Sequence, residues 1–372
     1  MPRTHILIAS PASARENNGN WQTASRWQRF LRADYRVTIA HGWTPDATGQ
    51  PGAAPAASSL PTHQPATPRP AAPGPAAPDL LIALHARRSA AALAAFKAAY
   101  PARPALLVLT GTDLYRDIHQ DPAARASLDL ADALVVLQPD GLGQLTPAQR
   151  TRAHVIYQSA SSLRARRAAS VSISAACASA SASTRIPTPT PARAPLDIAM
   201  IGHLRAEKDP MTYMRAAALV TTPGVRLLHV GAALDPALAA AARATQQDHP
   251  RYRWLGALPH MAARKRLRRC HAMVIASAME GGANVIIEAV TSGVPVLASD
   301  IGGNRGMLGE DYTGFFPLGD ADALARLIER SVRDPRFYAR LRRQCAARAR
   351  LFRPAAERAA LLDLVDNLLL SE

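Results

Sequence analysis

Two glutamates eight positions apart, Glu280 and Glu288, frame the segment "EGGANVIIE". An apolar strand predicted over Met273–Ser277 runs into Glu280-Gly281-Gly282, and a helix is predicted from about Ala283. Glycines let backbone N–H groups approach a ligand closely. A helix start adds unpaired donors and a positive dipole end, which suit phosphate. Gly281, Gly282, Ala283, Asn284 and Val285 are therefore candidates for cradling an anion. Glu280 and Glu288 bracket that site, and each can accept hydrogen bonds from a hydroxyl-rich group. A nucleoside-diphosphate sugar has this layout of sugar, pyrophosphate and ribose. Taken singly, the two glutamates also suit a helix-cap acid and a solvated helix residue; the strand–Glu-Gly-Gly–helix context favours the site.

A second segment, "IGHLRAEKDP" at 201–210, places His203, Arg205 and Lys208 in a loop after a predicted strand. Three potential cations at a strand's carboxyl end fit the neutralisation of a pyrophosphate. Lys208 is one of only three lysines among 44 basic residues. The plainer alternative is a surface lysine paired with Glu207 or Asp209.

The first half of the chain offers a complementary set. Thr110, Gly111, Thr112, Asp113 and Arg116 follow a strand predicted over Leu106–Leu109, and His85 and Arg87 follow one over Asp79–Leu84. Donors and cations of this kind fit a small anion. Gly19 and Asn20 are expected in a flexible loop that closes over the donor phosphates. Ordinary alternatives are a solvated helix start for Arg87 and a capping role for Asp113.

The elements that must position these groups are legible as an alternation. Short apolar runs such as "HILIAS", "DLLIALH", "ALLVLTG", "AMVIASA" and "VPVLASD" are separated by helix-like stretches, including Trp21–Ala33 and Ser89–Tyr100. This pattern predicts parallel sheets covered on both faces. Two such runs predict two facing, doubly wound Rossmann-like domains with the site in the cleft between them. The expected division is 1–159, a linker or insertion at 160–195, 196–352, and a last helix over 353–372 that crosses back to the first domain. Residues 44–78, with ten prolines and ten alanines, read as a disordered insertion.

A formal net charge of +16 over 372 residues first suggests a polyanionic partner. The charge is spread instead: +5 over residues 1–159, +5 over 160–195 and +6 over 196–372. Aromatic residues are only 5%, so nucleic acid is not expected. The best local candidate for it, "RKRLRRC" at 264–270, reads as the solvated face of a helix. No apolar run reaches the length of a membrane span, and the N-terminus has no signal-peptide pattern. Three scattered cysteines and histidines without ligand spacing give neither a disulfide framework nor a metal site. A cytoplasmic protein without cofactor or metal is expected, its oligomeric state open. Asp320-Ala321-Asp322 resembles a metal motif but precedes an amphipathic stretch, so a helix cap is the better reading.

"GHLRAEKDP" followed by "EGGANVIIE" resembles the donor domain of the large glycosyltransferase family with two facing Rossmann-like domains, the GT-B architecture. That family carries a Gly-Arg-Leu-x-x-Glu-Lys loop and a Glu-x7-Glu motif. Lys208, Glu280 and Glu288 match it, whereas His203 stands where the family has arginine and Arg205 lies two residues on. Over nearly the whole chain outside the two low-complexity stretches, "ALHARRSAAAL", "LTGTDLYRDI", "VIYQSA" and "GGNRGMLGEDYTGFFP" resemble the selenosugar synthase family, SenB, of selenoneine biosynthesis. The resemblance implies transfer of a sugar from a UDP-sugar, typically UDP-N-acetylglucosamine, to the selenium of selenophosphate, with release of UDP and phosphate. For that reaction Lys208 and Arg205 are expected on the leaving group, Glu280 on the sugar hydroxyls and His85 on the sugar or the acceptor, and the resemblance implies no metal. A GT-B enzyme with an alcohol, glycan or lipid acceptor is the alternative.

Overall fold

The computed structural model describes residues 3–13, 19–44, 77–163 and 195–370. The expectations for the Pro/Ala-rich and Ser/Ala-rich stretches fall largely outside these residues.

Among the described residues, twelve strands form two all-parallel, six-stranded sheets. The first holds β1 (His5–Ala9), β2 (Arg36–Ala40), β3 (Leu80–Leu84), β4 (Ala105–Leu109), β5 (Ala133–Val136) and β6 (Ala153–Val155), in the order β2-β1-β3-β4-β5-β6. The second holds β7 (Leu196–Ile201), β8 (Val225–Val230), β9 (Tyr252–Trp254), β10 (Ala272–Ile275), β11 (Val296–Ser299) and β12 (Phe315–Phe316), in the order β12-β11-β10-β7-β8-β9. Both orders are doubly wound.

The burial explains the apolar strands. Every residue of β1, β3 and β4 is buried, because helices cover both faces. Side chains alternate between the two faces. Ile6, Ile8, Leu80, Ile82 and Leu84 enter one core, and Leu7, Ala9, Leu81 and Ala83 the other. Helix starts are equally local: Asp121, Asp209, Asp235 and Asp334 each precede a proline, and each carboxylate caps the helix that follows. Asp320 is a cap too, accepting from the Ala323 N–H at 2.7 Å.

The last helix, Pro354–Leu370, packs against the first sheet rather than the second. Its Leu361, Leu364 and Val365 share a core with Ile6, Ile8 and Trp27. Glu357, 1% exposed, accepts from Arg26 Nε and Trp27 Nε1, each at 2.8 Å, and from Ser159 Oγ. A buried carboxylate costs several kcal/mol unless so partnered. The cluster therefore fixes this helix to helix Gly19–Leu31 and to the segment leaving β6.

The strand order reverses between β1 and β3 in the first sheet and between β7 and β10 in the second. Ligands of doubly wound sheets bind at such switch points, beyond the carboxyl ends of the strands. The loops after β3, β7 and β10 carry His85, Lys208 and Glu280, so the topology brings the chemistry-bearing residues to the switch points.

Candidate active site

The two loops of the second domain meet each other. Lys208 Nζ donates to Glu280 Oε1 at 2.5 Å, so the lysine pairs with neither Glu207 nor Asp209. Glu280 is 8% exposed, and the lysine side chain is largely covered. The lysine's loop is rigid for local reasons. Gly231 packs so closely on Gly202 that no Cβ fits between them. His229, fully buried, bridges Tyr252 and the Gly202 carbonyl. A carbonyl only accepts, so His229 Nε2 donates to it and Nδ1 accepts from the tyrosine hydroxyl.

His203 corrects an expectation. Its Nδ1 accepts from the Ala232 N–H at 3.0 Å. Burial, with Arg205 and Lys208 nearby, pushes its pKa below the ordinary histidine value. It is neutral at physiological pH and offers a donor at Nε2, not a replacement for an arginine's charge. Arg205 is exposed on the loop, leaving Lys208 as the cation held in place.

Helix Asn284–Thr291 starts just after the glycine pair, with Ala283 as its cap residue and Val285 in its first turn. Glu288 projects from it, 7% exposed, and accepts from His260 Nε2 at 2.5 Å. Arg264 corrects the reading of the basic stretch as a solvated face. It is 4% exposed, with Nε 3.9 Å from Glu288 Oε1 and Nη2 donating to the Ser161 carbonyl. Neither His260 nor Arg264 was expected in the site. The signal was their spacing of four along one helix face after β9.

The first domain faces this constellation directly. A Cβ on Gly281 would lie 2.5 Å from the Thr110 carbonyl oxygen, and one on Gly282 would lie 2.6 Å from Leu137 Cβ. The glycine pair thus lets the two domains close on each other, not only a ligand approach the backbone. Gly19 lies 3.7 Å from Asn284 Nδ2 by the same measure. The expectation of a flexible loop there is corrected: Gly19 and Asn20 form the first turn of helix Gly19–Leu31, anchored through Thr23, whose hydroxyl accepts from Gln158 Nε2.

At the carboxyl ends of β3 and β4, His85 adopts a left-handed φ of 74°, a costly conformation for a histidine and one that concentrates at functional sites. It is 3% exposed. Its Nδ1 accepts from the Arg88 N–H at 3.4 Å, so Nε2 carries the proton and faces Thr112 Oγ1 at 3.2 Å. Desolvation lowers its pKa against the pull of Asp113, and the ring is neutral. Asp113 corrects another expectation. It is fully buried, and its carboxylate accepts from the backbone N–H groups of Ala86, Thr110 and Gly111. It ties the two loops together rather than meeting an acceptor. Arg87 and Arg116 both hydrogen-bond Asp117. Arg116 also reaches across the cleft to Glu207 Oε1, 3.6 Å from its Nη1.

Among the described residues, no three His, Cys, Asp or Glu side chains gather as a metal site, and no helix is long and apolar enough to cross a membrane. Cys270 and Cys345 are buried free thiols, and burial pushes Cys270 up to about 12.

Two parallel doubly wound domains with charged loops converging on one cleft have close counterparts among solved structures. A sucrose-phosphate synthase from Thermosynechococcus elongatus superposes with a TM-score of 0.70 at 18% identity, covering 100% of each chain. This is the GT-B fold. HepE of Anabaena, in complex with UDP and glucose, matches with a TM-score of 0.67 at 14% identity over 98% of this GT-B chain and 100% of its own. TarM of S. aureus matches with a TM-score of 0.52 at 15% identity, over 77% of this chain and 55% of its own. Residues 188–352, which hold the lysine loop and both glutamates, match the family of glycosyl transferases group 1. The family match and the GT-B fold together support glycosyltransferase activity.

Proposed function

We propose that this chain is a UDP-sugar-dependent glycosyltransferase whose acceptor is selenophosphate, making it a selenosugar synthase. The observation that carries the reading is the closure of the Glu280–Gly281 loop onto Thr110–Gly111. It sets a donor-type site of one domain against a cluster of arginines, a threonine and a neutral histidine in the other. The complex of HepE with UDP supports the same nucleotide for this donor site.

In this reading the diphosphate lies at the start of helix Asn284–Thr291 and is neutralised by Lys208. Glu280 accepts from the sugar hydroxyls and Glu288 from the ribose. Selenium forms a bond to the anomeric carbon as the bond from that carbon to the diphosphate oxygen breaks and UDP leaves. Water then cleaves the selenium–phosphorus bond to release phosphate. Charge develops on the leaving group, so fixed donors and a cation there supply most of the acceleration. An acceptor already anionic at selenium needs no general base. His85 fits that economy, because its Nδ1 lone pair is taken by the Arg88 N–H and it serves as a donor.

The test is incubation with UDP-N-acetylglucosamine and selenophosphate, followed by mass spectrometry. A selenium-containing sugar is expected. No such product with any UDP-sugar, alongside turnover of an alcohol acceptor, overturns the reading.

A further inference from the structure

Asp117 closes a wide, π-type helical turn over Asp113–Asp117, a deviation that recurs at functional sites. Its carboxylate is 5% exposed. Oδ2 accepts from Arg87 Nε at 3.0 Å and Oδ1 from Arg116 Nε at 2.9 Å. Burial alone would raise its pKa, but the Arg116 hydrogen bond and the Arg87 charge prevail, and the group is held below the usual carboxylate range. Each arginine spends its Nε inward and keeps its terminal nitrogens outward, with side-chain exposures of 44% and 38%. Because His85 Nε2 donates to Thr112 Oγ1, the threonine hydroxyl proton is free to point elsewhere.

We propose that Asp117 is a positioning residue that holds Arg87 and Arg116 side by side as the two walls of one oxyanion subsite, with the Thr112 hydroxyl as its third donor. Two guanidinium forks presented together match a tetrahedral oxyanion better than two mobile arginines, because less freedom is lost on binding. Glu207 of the second domain occupies part of that place, 3.6 Å from Arg116 Nη1. An arriving anion exchanges with this carboxylate. The inference deepens the proposed function, since it rests on the first domain taking an anionic acceptor.

Inorganic phosphate is the probe, titrated into the full chain by calorimetry with saturating UDP present so that the diphosphate site is filled. Wild type is expected to bind it. Arg87→Gln, Arg116→Gln and Asp117→Asn should each weaken binding by about 10-fold or more, as for loss of one charge-assisted hydrogen bond. Combined with Arg87→Gln, Asp117→Asn should cost less than it does in the wild-type background, because only the Arg116 arm is left to release. UDP affinity should stay unchanged throughout, which a general loss of structure would not allow. Phosphate binding untouched by Asp117→Asn, effects that simply multiply in the double variant, or no binding to wild type overturns the inference. If Asp117→Asn fails to fold, the two exposed arginine variants decide: wild-type affinity in both overturns it. A failed selenosugar assay with phosphate binding intact would sink the proposed reaction and leave the subsite standing.

Discussion

Lys208 Nζ and Glu280 Oε1 form a hydrogen-bonded ion pair at 2.5 Å that joins the carboxyl ends of two adjacent strands, β7 and β10. In the proposed reaction these two groups act separately, one on the diphosphate and one on the sugar. Donor binding must therefore part them, and the sugar hydroxyls and the phosphates replace what each loses.

Removal of the lysine takes away the fixed cation proposed for the leaving group. Lys208→Ala should lower kcat by about 10²-fold or more, in line with loss of one preorganised donor. The effect should persist at saturating donor. Near-wild-type turnover under those conditions would remove Lys208 from the leaving-group role.

Closure through the glycine pair makes a steric prediction. A Cβ at Gly281 would meet the Thr110 carbonyl oxygen at 2.5 Å, so Gly281→Ala should prop the cleft open. Turnover should fall by about 10-fold or more, since small misplacements of reacting groups are costly. UDP affinity, carried mainly by the second domain, should change little. Equal turnover in wild type and variant would show that this contact is not part of the working state.

Sequence and structure agree most where the rules are local. The apolar β3 and β4 and the Asp-Pro helix starts follow from neighbouring residue types alone. The strand–loop–helix order around Glu280 and Glu288 was legible because the glycine pair ends just where the helix Asn284–Thr291 begins. What sequence did not show was which charges face inward. Arg264 sits among other cations in a stretch that reads as solvated, yet packing turns it towards Glu288. Asp113 and Asp117 lie four apart on one turn, but their division into a loop tie and an arginine clamp depends on β3, about 30 residues away. Glu357 shares its helix with Arg358, Asp363 and Asp366, nothing in that pattern marks it as the buried acid, and its partner Arg26 comes from the other end of the chain.

Glu288 and His260 form a pair whose disruption should act on the donor. Glu288→Ala and His260→Ala should each raise the donor KM, by about 10-fold for the glutamate, with kcat changing less. Calorimetric titration of UDP checks this without turnover. An unchanged affinity in both variants would count against the ribose assignment of Glu288.

Buried His229 predicts an acid sensitivity. Desolvation lowers its pKa from 6.5 to about 4, so the unfolded chain takes up a proton that the folded chain refuses. Stability should fall as pH drops from about 6.5 and level off below about 4, by about 3 kcal/mol for this group. Urea unfolding midpoints of wild type and His229→Gln across that range give the difference. The glutamine variant should show the shallower slope; parallel slopes would exclude His229 as the source.

The central claim is that one cleft brings a UDP-sugar to an anionic acceptor. It is tested most directly by measuring UDP release from UDP-N-acetylglucosamine with selenophosphate, in parallel with a panel of alcohol acceptors. The account predicts release that depends on selenophosphate, with one UDP formed per selenium-containing sugar. Release driven by an alcohol and indifferent to selenophosphate would contradict it.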